Sequence, residues 1–179
     1  MIRRFRSSPA IPRDYGRCDD LIVGCRSAQA IPPWFGLVRR TPSKMDSKEK
    51  SVAGKQQRNR RNAIAFYDLM FNRSKPREAV DRFVGDDYRQ HNPFGADGKE
   101  AFVEYFERMA HDYPGKHAEI KRAFADGDYV ILHCHQQWPG DRDYAGIDIF
   151  RFDENGKVVE HWDVLQVVPE RSANDNTMF

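Results

Sequence analysis

Several things are scarce or missing in this sequence. Its 179 residues include only three cysteines, Cys18, Cys25 and Cys134. Three are too few for a disulfide framework or a four-ligand zinc cluster, which fits a reducing, cytoplasmic setting. No apolar run approaches the roughly 20 residues of a membrane-spanning helix, so no membrane partner is expected. A secretory leader is not expected either, because the start has no apolar stretch of about 7–15 residues. Neither G-x-G-x-x-G nor G-x-x-x-x-G-K-S/T occurs, which removes the support for a nucleotide cofactor. An excess of one charge is also lacking: 29 Lys+Arg against 27 Asp+Glu leaves +2 and no electrostatic footprint for nucleic acid.

The near-neutral total hides two unequal parts. Residues 1–44 hold nine basic and three acidic side chains, a net +6, so the rest of the chain carries −4. The segment is rich in proline (Pro9, Pro12, Pro32, Pro33, Pro42) and has no periodic apolar pattern. It reads as a basic, disordered extension. Its Arg-rich, acid-poor character resembles a transit peptide only superficially, since no amphipathic stripe supports that. A second reading makes Met45 the initiator and the preceding residues an over-long reading of the gene. The domain then runs over 45–179, and with 40% hydrophobic and 12% aromatic residues the chain has enough apolar material for one packed core.

Three helices are expected first. Ala63, Phe66, Tyr67 and Met70 recur at helical spacing within Asn59–Phe71, with Asn72 as the stop. Pro76 suits the first turn of a short helix with Ala79, Val80 and Phe83 inside and Gly85 at its end. Phe102, Tyr105, Phe106 and Met109 share one face of a third, from Gly98 to His111. Tyr88 to Gly95 reads as a polar, turn-rich link. Beyond Gly115 the period changes to two, giving strands near 117–125, 128–138, 143–153 and 157–168. Asp126-Gly127 and Asn155-Gly156 are pairs favoured in tight hairpins with positive φ at both central residues. Helices followed by hairpin-linked strands make an α+β fold with an antiparallel sheet. The apolar Thr177-Met178-Phe179 terminus is expected to dock on the body or on a partner subunit.

Four histidines sit where chemistry is plausible. His133 and His135 are two apart on one strand and share a face with Ile131 and Gln137, while Cys134 points the other way. His161 and Asp163 flank Trp162 on the last strand, and Asp148 interrupts an apolar run where an unpaired buried carboxylate would be unfavourable. The catalytic expectation is that His133, Asp148, His161 and Asp163 converge on one pocket, closed at one end by His91 and Asn92. Imidazoles beside carboxylates are the usual makings of acid–base chemistry. A purely internal polar network is the alternative, and a zinc site built on His-x-His is another, although no metal is expected. His111 and His117 read as surface residues.

From about Asn59 to Phe179 the chain resembles the SnoaL-like proteins of the nuclear-transport-factor-2-like superfamily, especially the polyketide-cyclase-like branch assigned to aldol condensation. The resemblance rests on Tyr88-Arg89-Gln90-His91-Asn92-Pro93, Asp148-Ile149-Phe150-Arg151-Phe152 and Glu160-His161-Trp162-Asp163-Val164-Leu165-Gln166, together with the closing Asn176-Thr177-Met178-Phe179. It implies a cone in which three helices pack on a strongly curved antiparallel sheet around a pocket. It further implies a homodimer formed through the outer face of that sheet. In the family's cyclases a His-x-Asp pair on the last strand supplies a histidine and the acid–base aspartate, and those positions match His161 and Asp163.

These readings combine into a cofactor-independent enzyme acting on a small carbonyl or polyketide-like molecule. Asp163, alone or with His161, would remove a proton α to a carbonyl. His91, Asn92 and His133 would donate to the developing enolate. Asp148 would orient a histidine, Gln166 would line the mouth, and Tyr67, Phe106 and Phe150 would form apolar walls with Phe66. The rivals are a non-catalytic small-molecule binder and a metal-assisted hydrolase using His133, His135 and His161. The enzyme reading requires His91, His133, Asp148, His161 and Asp163 to meet in one cavity.

Overall fold

Asp46 and Glu49 start the first helix by capping each other. In a computed structural model, which describes residues 46–179, the Asp46 carboxylate accepts from the Glu49 N–H at 2.7 Å. The Glu49 carboxylate in turn accepts from the Asp46 N–H at 3.0 Å. The basic segment and the Met45 alternative lie outside the described residues. Helix α1, Ser47–Tyr67, therefore begins well before Asn59. Its first half is polar and exposed, and hydrophobic periodicity says nothing there.

α1 runs on into a five-residue π-helical segment, Asp68–Asn72, which buries Leu69, Met70 and Phe71. The expected stop at Asn72 holds. Its side-chain amide donates to the Ala118 carbonyl at 3.1 Å and accepts from the Ala118 N–H at 2.7 Å, so it pairs like one more strand residue. Helix α2, Pro76–Phe83, has proline at its start as expected. Helix α3, Lys99–Asp112, follows Gly98, whose φ of 93° calls for glycine.

The sheet has five strands rather than four. β1, Val84–Gln90, occupies most of the stretch read as a turn-rich link and begins directly after α2. The other strands are β2 His117–Asp126, β3 Tyr129–Gln137, β4 Tyr144–Phe152 and β5 Val158–Val167. Their order is β1-β5-β4-β3-β2. β2 to β5 are antiparallel, but β1 lies parallel to β5, so the sheet is mixed, not wholly antiparallel. Asp86-Asp87 breaks any apolar alternation in β1, and its partner strand rather than its pattern makes it a strand. At Gly85 a Cβ would come within 2.9 Å of Val159 Cγ1, so glycine permits the close approach.

The hairpin signals mark the right places with a different geometry. Asp126 pairs with Tyr129 across the β2–β3 turn, and only Gly127 there has positive φ (54°). In the β4–β5 turn only Gly156 does (80°). Neither has two left-handed central residues.

The core fills the space between the helices and one face of this open, curved sheet. Phe66 touches Phe83 of α2, Phe102 of α3 and Phe150 of β4, with ring centroids 5.6–6.4 Å apart. Each such full burial stabilises by about 1.5–3 kcal/mol. On the opposite, outer face the C-terminal Phe179 ring stacks on His135 (4.4 Å) and His133 (5.7 Å), with Lys121 Nζ 5.6 Å from its centre. The terminus thus docks on its own sheet.

Candidate active site

Strand parity decides which side chains reach the interior. On β3 and β4 the buried positions are Val130, Leu132, Cys134, Gln136 and Gly146, Asp148, Phe150, Phe152. Register places Asp148 opposite Asp163, Phe150 opposite His161 and Gly146 opposite Leu165 on β5. Across the cavity stand Tyr67, Phe71, Phe102, Tyr105, Phe106 and Met109 from the helices. The parallel pairing of β1 extends through the His91 N–H to the His161 carbonyl at 2.9 Å. It thereby delivers Gln90 and Asn92 to the same cavity.

Three of the five required residues meet there: Asp148, His161 and Asp163. His161 Nε2 lies 3.3 Å from Asp148 Oδ1, and both side chains are buried. The His161 ring stacks on Phe150 at 4.7 Å. Tyr67 Oη donates to Asp148 Oδ2 at 3.1 Å and accepts from Gln136 Nε2 at 2.7 Å. Asn92 Nδ2 donates to Asp163 Oδ2 at 2.7 Å, while Asp163 Oδ1 is buried without a hydrogen-bond partner among the described residues. Burial pushes the Asp163 carboxyl above the usual range; Asp148 adds to this, and His161 and the Asn92 bond oppose it. The Tyr67 hydroxyl is raised well above its ordinary value, by burial first and by Asp148 next, so it stays a neutral donor. The same two causes raise the Cys134 thiol and make it a poor nucleophile.

Other expected residues go elsewhere. His133 is on the outer face of β3, where its Nδ1 accepts from Arg122 at 2.9 Å. Odd positions of that strand point away from the helices, so His133 cannot act in the pocket. His91 turns outward too, stacking on Trp162 (4.6 Å) and bonding Glu160 Oε1 at 2.9 Å. Together with Arg151 it holds the Glu160 carboxyl below the usual range. Gln166 pairs with Ala145 on the outward parity and does not line the mouth; Leu165 does. Asn92, Tyr67 and Phe106 line the cavity as expected, whereas Phe150 lies behind His161 rather than in the wall. His135 bonds Asp143 on the outer face at 2.7 Å. A metal bound jointly by His133, His135 and His161 is therefore impossible, because they occupy opposite faces. Asp148, His161 and Asp163 do present one ligand atom each within 4.8 Å of one another.

Pattern reading missed Gln90, Tyr105, Gln136, Trp138 and Leu165 as lining residues. Gln136 left a signal, being polar at a position whose strand parity is otherwise apolar. Tyr105 left one as well, a hydroxyl on the buried face of α3. The cavity itself is small, about 40 Å³, well below the ~300–1,000 Å³ of sites for drug-sized ligands.

A family model described as the SnoaL-like domain matches residues 63–161. Among curated proteins none matches significantly. Several solved structures share the fold. One, assigned as a polyketide cyclase from Bacillus cereus, is 21% identical, covers 68% of this chain and 78% of that one, and gives a TM-score of 0.54. Another, assigned as a ketosteroid isomerase from Kribbella flavida, is 18% identical, with 67% and 86% covered and a TM-score of 0.54. A third, an LEH-like epoxide hydrolase from M. tuberculosis, is 20% identical, with 63% and 85% covered and a TM-score of 0.52. The α+β fold is thus of the nuclear-transport-factor-2-like kind.

Proposed function

The chain belongs to the family of SnoaL-like domains, and on that premise we propose that it is a cofactor-independent acid–base enzyme acting on a small carbonyl compound. The observation that carries this reading is Asp163: a buried carboxylate oxygen without a partner among the described residues, on a side chain of the cavity wall, beside the Asp148–His161 pair. Raised by burial, Asp163 is a stronger base than an exposed aspartate when ionised.

Asp163 Oδ1 takes a proton from the carbon α to the carbonyl, and the electron pair moves onto the carbonyl oxygen. The Tyr105 hydroxyl, which has no hydrogen-bond partner among the described residues, and the second N–H of the Asn92 amide supply donors to that oxygen. They replace His91 and His133, which lie outside the cavity. The five-residue convergence expected from the sequence is therefore not met, and of those five the narrower reading rests on Asp148, His161 and Asp163 alone. In an aldol addition or cyclisation the enolate carbon then attacks a second carbonyl, and the alkoxide formed takes the proton back from Asp163. Asp148 and His161 set the field around the base. The cavity's size favours a small substrate over a bulky polyketide.

Two further parts belong to the reading. An apolar row, Phe124, Ile131, Ile149 and Trp162, crosses four strands on the outer face in register, and Phe124 and Ile131 are exposed. It supports a homodimer through that face. A reducing, cytoplasmic setting belongs to the proposal on the low cysteine count of the sequence; no helix among the described residues is long and apolar enough to cross a membrane.

The test is proton exchange. Small ketones and aldehydes incubated with the protein in deuterium oxide should gain deuterium at the α-carbon, followed by NMR, and the Asp163→Asn protein should not catalyse this. Binding without exchange would make the protein a non-catalytic pocket. Exchange that disappears on chelation and returns with zinc would assign the Asp148–His161–Asp163 cluster to a metal.

A further inference from the structure

Two obligate donors fix the orientation of both glutamines beside His161 and Asp148. The Asn92 backbone N–H can only donate, and it meets Gln90 Oε1 at 3.0 Å. Gln90 Nε2 points the other way, donating to Tyr88 Oη at 3.1 Å. His161 Nδ1 lies 3.0 Å from that same Gln90 oxygen, so Nδ1 must carry the hydrogen. At the other end the Trp138 indole N–H, also only a donor, meets Gln136 Oε1 at 3.0 Å. Gln136 Nε2 must then donate to Tyr67 Oη, and the Tyr67 hydrogen is left to point at Asp148 Oδ2. Asp148 Oδ2 is thus an acceptor. One hydrogen remains to be placed, between Asp148 Oδ1 and His161 Nε2.

We propose that Gln90 is a positioning residue that holds His161 in its Nδ1–H form, while Gln136, through Tyr67, keeps Asp148 Oδ2 an acceptor, so that His161 exchanges protons only through the Nε2 edge shared with Asp148. Free histidine favours hydrogen on Nε2 when neutral; here the Gln90 oxygen reverses the preference. The inference rests on the acid–base reading for its purpose, and it adds a proton inventory. Asp148, His161 and Asp163 all line the cavity, and within that wall the Asp148–His161 pair shares one proton, with Gln90 bonded on the His161 side and Tyr67 on the Asp148 side. Loss of that proton through Nδ1 would require breaking the Gln90 contact.

Tautomers are read by nitrogen NMR of the full chain labelled with ¹⁵N-histidine, with His161 assigned by the peaks missing in His161→Gln. The wild type should show Nδ1 protonated at every pH where the fold persists. An Nε2–H pattern with bare Nδ1 would overturn the proposal. Gln90→Met removes the acceptor and should shift His161 toward the Nε2–H form, whereas Gln90→Glu keeps an acceptor and should preserve Nδ1–H. If folded Gln90→Met keeps the wild-type pattern, Gln90 is not the lock. If that variant fails to fold, the wild-type spectrum decides alone. No substrate is involved, so the result stands apart from the deuterium exchange that tests catalysis.

Discussion

Asp148 and Asp163 are direct cross-strand partners on β4 and β5, and both line the same cavity. Two carboxylates so placed repel when ionised, but at Asp163 the opposing pull of His161 is larger than that repulsion. Burial is the main cause that keeps Asp163 above the ordinary carboxylate range, with Asp148 adding to it.

Replacing Asp163 by Asn should abolish most α-proton exchange, by about 10²–10⁴-fold, the usual contribution of a positioned base. Stability should move the other way. At neutral pH the ionised carboxylate sits where the neutral form is preferred, so it destabilises the fold, and this penalty fades as pH falls through its raised native pKa. The site is partly solvated, so the gain should stay below about 1 kcal/mol. Paired exchange assays and thermal melts at neutral and acid pH check both signs.

The exchange rate should fall on acidification around a pKa higher than that of an exposed aspartate, because only ionised Asp163 is a base. A pH–rate profile measures this. A rate that holds steady down into the ordinary aspartate range would remove Asp163 from the role.

His133→Ala and Gln166→Ala should leave exchange unchanged, since both residues face outward. His161→Gln should lower it, but by less than Asp163→Asn does, since His161 acts on the base and not on the substrate. Rates of the three purified variants, compared at equal folded fraction, separate the inner histidine from the outer one.

Tyr67→Phe removes the donor to Asp148 Oδ2 and the acceptor of Gln136 Nε2 inside the core. Leaving buried polar groups unsatisfied should destabilise by about 1–3 kcal/mol, read by denaturant unfolding of the variant against wild type.

Ile131→Glu places a charge in the apolar row of the outer face. Sedimentation should show a dimer for the wild type and a monomer for the variant, with exchange per folded chain little altered. A monomeric wild type would exclude the interface.

Much of this molecule was legible in its pattern because the pattern recorded local physics. Period two over β2 to β5 predicted strand limits within a residue or two of those observed, and the apolar stripe around Phe66 located the buried half of α1. What failed had no local signature. The first half of α1 is polar, and only the Asp46 and Glu49 spacing, three apart, could have marked its start. β1 carries Asp86-Asp87 and owes its conformation to β5.

For the site, the His-x-Asp spacing on β5 was enough to put His161 and Asp163 on one face, because side chains alternate along any strand. Alternation also separated Cys134 from the histidines on either side of it. Which face turns toward the helices is a different matter. No spacing within one strand shows it, because it depends on the register between β3, β4 and β5 and on the helices that cover one side. Tertiary packing therefore sent His133 outward and Gln136 inward, and the unforeseen parallel pairing of β1 turned His91 to the surface while bringing Gln90 and Asn92 to His161 and Asp163.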